Sequence, residues 1–303
     1  MSEHSPAQAA PAPKLRINLV GAGRVGQTLA HLWQRQDVLE IQDVLTTSLG
    51  SAHAACHFIG AGRAVSRLAD MRGADLWMIA VQDARIAAVA AEMAGLQGHL
   101  HGASSAAVPA LAFHCSGAQS SESLAPLSAL GWHTASAHCI LSFATAASAV
   151  QQFPGTPCAL EGPSAAQQVL RPAFTAIGGQ CFEVQAEHKL LYHAAAVFAT
   201  NFLPVLEHLA EAAWQHSGVP EALIPGLRAS LMGKVLSNMV EVGPFDALTG
   251  PAAREDTAAM ETQSRAVRAW DAAAANAYDA LGALALRMAK ARREAAATAI
   301  NSH

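Results

Sequence analysis

Two rhythms of apolar and polar positions divide the chain. From Lys14 to about Val184, short apolar runs alternate with helical stretches. "LRINLV" (15–20), "LEIQDVLTT" (39–47), "DLWMIAVQD" (75–83) and "LAFHCSG" (111–117) have the length and residue types of strands, the third one buried. "GWHTASAHCIL" (131–141), "PCALEG" (157–162) and "QCFEV" (180–184) add to the series. Between the first two runs, Val25, Leu29, Leu32 and Trp33 recur at the helical period and share a face. "SAAQQVLRPAFTAIGG" (164–179) reads as a helix closed by Gly-Gly. Strands alternating with helices predict crossover units on a parallel sheet with helices on its faces. Beyond residue 186 the strand pattern stops. Residues 187–216, 220–241 and 252–297 read as helices, separated by "SGVP" and "VGPFDALTGP".

Composition narrows the class. A chain of 303 residues fits two domains, and 52% hydrophobic with 14% charged residues is globular. A net charge of −4 gives no basic footprint for nucleic acid, and no Lys/Arg run marks a membrane surface. No uninterrupted apolar run reaches the ~18–20 residues that span a bilayer. "MSEHSPAQAAPAPK" lacks the apolar core of a signal peptide and reads as a disordered tail over 1–13. Cys56, Cys115, Cys139, Cys158 and Cys181 are odd in number and form no C-x-x-C, which favours reduced thiols in the cytoplasm. The 14 histidines raise a metal site, for example at His99 and His101, but no pair has ligand context and none is assigned.

"GAGRVG" places Gly21, Gly23 and Gly26 between a strand and a helix. That is the dinucleotide-binding pattern: one glycine for the turn, one for approach of a pyrophosphate, one for helix–strand packing. The turn's Gly21, Gly23, Arg24, Val25 and Gly26 are therefore cofactor candidates. After the second strand, where an NAD enzyme carries an acid, stand Thr46, Thr47 and Ser48, while Asp43 falls inside the strand. Hydroxyls at Thr47 and Ser48, with Arg24 nearby, suit the 2′-phosphate of NADP better than the bare diol of NAD. Val81 and Asp83 of "AVQD" and Ser116 of "HCSG" end later strands and border the nicotinamide side. Ser116 either bonds a carboxamide or substrate or opens a turn, and Asp83 caps the following helix.

In "HKLLYHAAAVFATN" (188–201), Lys189 and His193 lie one turn apart, and at ~100° per residue Thr200 falls in line with them. A cation, an imidazole and a hydroxyl on an apolar helix read either as an edge facing water or as the wall of a site.

Taken together, "GAGRVG", "AVQD", "HCSGA", "ASAHCILSF", "YHAAAVFATNFL" and "LTGPAARED" resemble, over almost the whole chain, a bacterial family with a Rossmann-like domain followed by a domain of unknown function, DUF2520. The wider group holds the 6-phosphogluconate and β-hydroxyacid dehydrogenases and pyrroline-5-carboxylate reductase. The resemblance implies a Rossmann-type parallel-sheet domain (14–185), an all-α substrate and dimerisation domain (186–298), a homodimer, and NADP-linked hydride transfer to a C=O or C=N. β-Hydroxyacid dehydrogenases present a catalytic Lys and, one turn on, an Asn. Here Lys189 holds the first position and His193 the second, with Asn201 two turns further. The family has His-Pro at His138-Cys139 and Arg-Gly-Asp at Arg254-Glu255-Asp256.

His193 is then the general acid/base, since an imidazole titrates near working pH, or a satisfied helix histidine. Lys189 binds a carboxylate or is a solvated lysine at a helix start. Asn201 orients substrate or packs between helices. His138 faces the cleft between the domains or is a buried structural histidine. Arg254 clamps an anionic substrate, or the Arg254-Glu255-Asp256 charges simply close a helix N-terminus. Cys115 is a small buried residue rather than a nucleophile. A reading without chemistry, in which the same fold senses NADP(H) or binds a partner, stands beside the oxidoreductase.

Overall fold

The computed structural model describes residues 14–96, 100 and 109–301. The tail over 1–13 and the pair His99 and His101 lie outside the described residues. The chain divides into two compact units, Met1–Phe198 and Ala199–His303.

The first unit holds eight strands: β1 (Arg16–Val20), β2 (Glu40–Leu45), β3 (Arg63–Val65), β4 (Leu76–Ile79), β5 (Leu111–His114), β6 (His133–Cys139), β7 (Pro157–Glu161) and β8 (Gln180–Glu183). They form one sheet in the order β3-β2-β1-β4-β5-β6-β7-β8. β1 to β6 are parallel, as the alternation of strands and helices predicts, and β7 departs from that direction, running antiparallel to β6 with Ser136 opposite Glu161 and Cys139 opposite Cys158. β3, three residues long, left too little pattern to be read from the sequence.

Helices α1 (Arg24–Arg35), α2 (Leu49–Ile59), α3 (Ile86–Gly95), α4 (Ala125–Ser128), α5 (Ala146–Gln152) and α6 (Ser164–Ala176) connect the strands. The period of two along each strand divides the core into two clusters. In β4, Leu76 and Met78 join Trp33, Phe113 and Phe174, while Trp77 and Ile79 join Trp132, Leu127 and Met93. On the first side, Trp33 meets Phe174 edge-on at 5.4 Å and donates its indole N–H to the carbonyl of Ala173 at 2.9 Å. Such an aromatic pair contributes about 0.5–1.5 kcal/mol beyond its buried area. Asp43 lies inside β2, fully buried, and is held by Arg63 and Arg72. Burial pushes its carboxyl up, but the hydrogen bonds from Arg63 and Arg72 outweigh this and hold it below the usual range.

A 3₁₀ turn, Ala186–His188, leads into α7 (Lys189–Ala196), which closes the first unit against the sheet's carboxyl edge. A π turn, Val197–Asn201, follows. It interrupts the 3.6-residue period, so a stripe extrapolated from His193 to Thr200 does not hold.

The second unit contains α8 (Phe202–His216), α9 (Ile224–Asp246), α10 (Gly250–Ala253), α11 (Thr257–Trp270) and α12 (Ala272–Asn301). α9 is two helices that meet across a kink at Gly243 (φ +79°, ψ 160°), at the break expected in "VGP". The helix expected over 252–297 is broken at Asp271, whose carboxylate accepts from the Ala274 N–H at 2.8 Å and starts α12. The helical stretch Ala186–His216 has a window of mean hydropathy 1.3 and is long and apolar enough to cross a membrane by length and composition. Scattered polar residues had hidden this from a search for unbroken apolar runs. Its beginning, however, is tied to the sheet through Lys189.

Candidate active site

Ligands of parallel α/β sheets bind outside the carboxyl ends of the strands, where the chain reverses its direction of winding. Here that point lies between β1 and β4, because the strands after β1 add on one side and those after β3 on the other. Gly21 follows β1, Val81 and Asp83 follow β4, Ser116 and Gly117 follow β5, and His138 ends β6. Four strands therefore bring these residues to one edge of the sheet.

The glycine turn separates fold from ligand. Gly21 has φ +90°, and a Cβ there would stand 2.6 Å from the Ala80 carbonyl oxygen, so the turn itself demands glycine. At Gly26 a Cβ would meet the Gly21 oxygen at 2.9 Å, the price of α1 lying close on β1. Gly23 differs: its backbone is ordinary (φ −73°, ψ −162°) and nothing stands within 4 Å of a Cβ. The fold has no use for a glycine there, whereas a phosphate approaching the backbone would. Gly23 is also the N-cap of α1 and offers no capping side chain, which leaves the first N–H groups of the helix open to an anion. The turn thus fits a dinucleotide.

Arg24 does not face the end of β2. Its guanidinium donates to the carbonyls of Phe143 and Ala144, in the loop after β6 on the other side of the sheet. Ser48 is occupied as the N-cap of α2, in a reciprocal pair with Ser51, while Thr47 is exposed. Val25 is half-buried against the core.

Beyond β5 the loop is tied by side chains. The Ser116 hydroxyl donates to Asp83 Oδ2 at 2.6 Å and accepts from the N–H groups of Ala118 and Gln119 at 3.2 and 3.0 Å, so it does open a turn. Asp83 does not cap α3. It begins a 3₁₀ turn over Asp83–Arg85, and its carboxylate is turned to Ser116 instead. Cys115 is no nucleophile in this setting, with burial pushing its thiol up to about 12.

α7 inverts one expectation. Lys189 is not solvated: it is 1% exposed, and its ammonium donates to the Ser116 carbonyl at 3.0 Å and to the Ser136 hydroxyl at 2.6 Å. The Ser136 hydroxyl in turn donates to Glu161 at 2.9 Å, and Glu161 also accepts from the N–H and hydroxyl of Ser121. A buried cation and a buried anion are thus joined through one hydroxyl. Burial lowers the Lys189 pKa, opposed by the charges of Glu161 and Asp83.

One turn along, the His193 ring stands over Gly117. A Cβ on Gly117 would lie 2.6 Å from His193 Nδ1 and 2.9 Å from both Cε1 and Nε2 of His138. The two imidazoles are 5.9 Å apart at 75° and close over the Gly117 backbone so tightly that only glycine fits beneath them. His193 Nδ1 is buried with no hydrogen-bond partner among the described residues. His138 bonds through Nδ1 to the Tyr192 hydroxyl at 2.8 Å. Burial, then the charges of Lys189 and His193, push its pKa down to about 4.

Ser116, Asp83, His138, Lys189 and His193 are thus brought together. Asn201 and Arg254 belong to the second unit. Asn201 Oδ1 accepts from the Thr200 hydroxyl at 2.7 Å, and Arg254 is exposed at the end of α10. Asp256 caps α11 through the Ala259 N–H at 3.0 Å, as the helix-closing reading of that loop expects. Sequence reasoning missed Tyr192, Gly117, Ser136 and Glu161. Tyr192 carried a usable signal, being three residues from Lys189 and so beside it on the helix.

The Rossmann-like domain model matches residues 1–139, and the model described as a domain of unknown function (DUF2520) matches 156–285. No curated protein matches the chain in sequence. Among solved structures, protein TM1727 from Thermotoga maritima is 24% identical with a TM-score of 0.71, covering 91% of this chain and 99% of its own. A 1-pyrroline-5-carboxylate reductase from Streptococcus pyogenes is 15% identical with a TM-score of 0.56, covering 90% and 98%. An imine reductase from Myxococcus stipitatus in complex with NADP+ is 14% identical with a TM-score of 0.60, covering 91% and 94%. At these identities the likeness establishes the shared fold.

Proposed function

For a chain that joins a Rossmann-like domain to a DUF2520 domain, we propose an oxidoreductase that transfers a hydride between NADP(H) and the C=O or C=N of a small, anionic molecule. The observation that carries this reading is the unpartnered, buried Nδ1 of His193, packed over Gly117 at the edge of the sheet where the glycine turn fits a dinucleotide. The solved reductases of the same fold support it.

When bound, the nicotinamide supplies or accepts the hydride at the substrate carbon. In reduction, His193 gives a proton to the substrate oxygen or nitrogen as the carbon takes the hydride, and it takes the proton back in the reverse direction. Lys189 holds the Ser116 loop and places a positive charge behind the site. Gly21, Gly23, Gly26 and the first turn of α1 take the pyrophosphate, and Val81 and the Ser116 loop border the nicotinamide. Thr47 and the end of β2 carry the preference for NADP over NAD. Asn201 and Arg254 are the candidates for orienting the substrate and clamping its anionic group. A homodimer in the cytoplasm completes the proposal.

The test is titration with NADPH and NADH, followed by a carbonyl and imine screen, on the wild type and His193→Ala. Selective NADPH binding by both proteins, with turnover lost only in the variant, is the expected result. Failure to bind either nucleotide overturns the proposal. Binding without turnover on any acceptor would favour a nucleotide sensor on the same fold.

A further inference from the structure

We propose that Arg67, in the loop after β3, binds the 2′-phosphate of NADP together with Thr47 and is the residue that selects NADP over NAD. The inference rests on the dinucleotide reading of the first unit and deepens it by naming the cation that the end of β2 lacks.

The Gly21 N–H donates to the Leu45 carbonyl at 2.8 Å, so the end of β2 lies directly beside the turn that fits the pyrophosphate. On its other side β2 pairs in parallel with β3, Asp43 opposite Arg63 and Leu45 opposite Val65. Paired residues share a face, as the ion pair of Asp43 with Arg63 shows. The period of two carries that face on to Thr47 and Arg67, each two residues past the paired ends. Arg67 keeps the extended backbone this requires, with φ −142° and ψ 150°. β3 is the outermost strand, so the arginine stands at an open edge of the sheet. The adenosine ribose of a dinucleotide lies at the end of the second strand, which is this place.

The neighbouring groups are already engaged. Thr46 donates to the Ser48 carbonyl at 2.9 Å and the Ser48 hydroxyl accepts from the Ser51 N–H at 3.1 Å, whereas Thr47 takes no part in that cap and is exposed. Arg24 is bound to the loop after β6, and Arg63 and Arg72 share the buried Asp43. Arg67 is 74% exposed. It donates to Asp70 through Nε at 3.0 Å and Nη2 at 2.6 Å, which fixes the guanidinium and leaves its Nη1 edge for a second partner. A phosphate takes that edge in the same forked manner as a carboxylate. Arg63, Arg67 and Arg72 against Asp43 and Asp70 also leave one positive charge here, in a chain of net charge −4. The bare 2′-hydroxyl of NAD has no use for it.

The experiment is calorimetric titration of the full chain with NADPH, NADH, 2′,5′-ADP and 5′-AMP, on the wild type, Arg67→Ala and Arg67→Lys, with circular dichroism as the check on folding. In Arg67→Ala, affinity for NADPH and 2′,5′-ADP should fall about tenfold or more, the worth of a charge-assisted hydrogen bond, while NADH and 5′-AMP stay within about twofold. Arg67→Lys should fall between the two, since a lysine keeps the charge and loses the fork. Unchanged NADPH affinity in a folded Arg67→Ala protein overturns this inference alone, as does an equal loss for NADPH and NADH, or a wild type that binds the two equally. A wild type that binds neither nucleotide overturns the hydride-transfer reading and this inference with it.

Discussion

Histidines 114 and 138 illustrate how little a residue type says before its surroundings are known. His114 is fully buried at the end of β5, with Nδ1 accepting from the Ser116 N–H and Nε2 meeting the Ser120 carbonyl. Burial lowers its pKa, and burial with neighbouring charge takes that of His138 to about 4. Both pKa values are depressed by folding, so below the unfolded value of about 6.5 the unfolded chain takes up protons that the native state refuses. Stability is therefore expected to fall as pH drops from about 6.5 toward 4, by about 2–3 kcal/mol from His138 alone. Urea unfolding at pH 7 and pH 5 measures it, and His138→Gln should flatten part of the slope. Glu255 makes a second point at this scale. It has φ +57°, in the left-handed region that favours glycine, and it pairs with Arg293 at 2.7 Å. Glu255→Ala and Glu255→Gly both lose the ion pair, but only the glycine relieves the backbone. The glycine variant should be the more stable of the two by about 1 kcal/mol, read from thermal or urea unfolding.

At the scale of elements, the β1–α1 turn carries two glycines with opposite reasons. Gly21→Ala forces a Cβ against the Ala80 carbonyl and a side chain into a positive φ, and should destabilise by about 2–4 kcal/mol. Gly23→Ala meets open space and should leave stability within about 0.5 kcal/mol. It should nevertheless weaken NADPH binding by tenfold or more, because the Cβ occupies the pyrophosphate's approach. Equal loss of stability in the two variants would contradict this division. α7 follows the same logic on a larger scale. One face anchors the helix through Lys189, and the next turn on that face presents His193.

For the whole molecule, the question is what covers the helical unit. Leu227, Leu231 and Val235 repeat every four residues along α9 at 37%, 48% and 52% exposure, and Val240 is 89% exposed. Monomers rarely leave a continuous apolar stripe of this kind in water. A second copy is the proposed cover, and a two-fold pairing brings the same stripe from each subunit. Light scattering after size exclusion should give twice the 31.3 kDa chain mass, and Leu231→Asp with Val235→Asp should halve it. A monomeric wild type would sink the proposal.

Local pattern alone determined a good deal of this protein. Strand alternation, the helix of Leu29 and Trp33, the glycine turn and the helical second half were legible because each is set by neighbours a few residues apart. The one-turn spacing of Lys189 and His193 was legible for the same reason. Tertiary structure decided what those residues meet. His138 and Tyr192 are 54 residues apart in sequence, and Lys189 and Ser116 are 73 apart. A lysine near a helix start reads as solvated, and only the meeting of β5, β6 and α7 supplies the carbonyl and hydroxyl that bury it. The antiparallel turn into β7 was equally hidden, because residue types favour a strand but leave its direction open. Direction and partners are fixed by the sheet as a whole, through which elements pack together, and that is where His138 and His193 meet over Gly117.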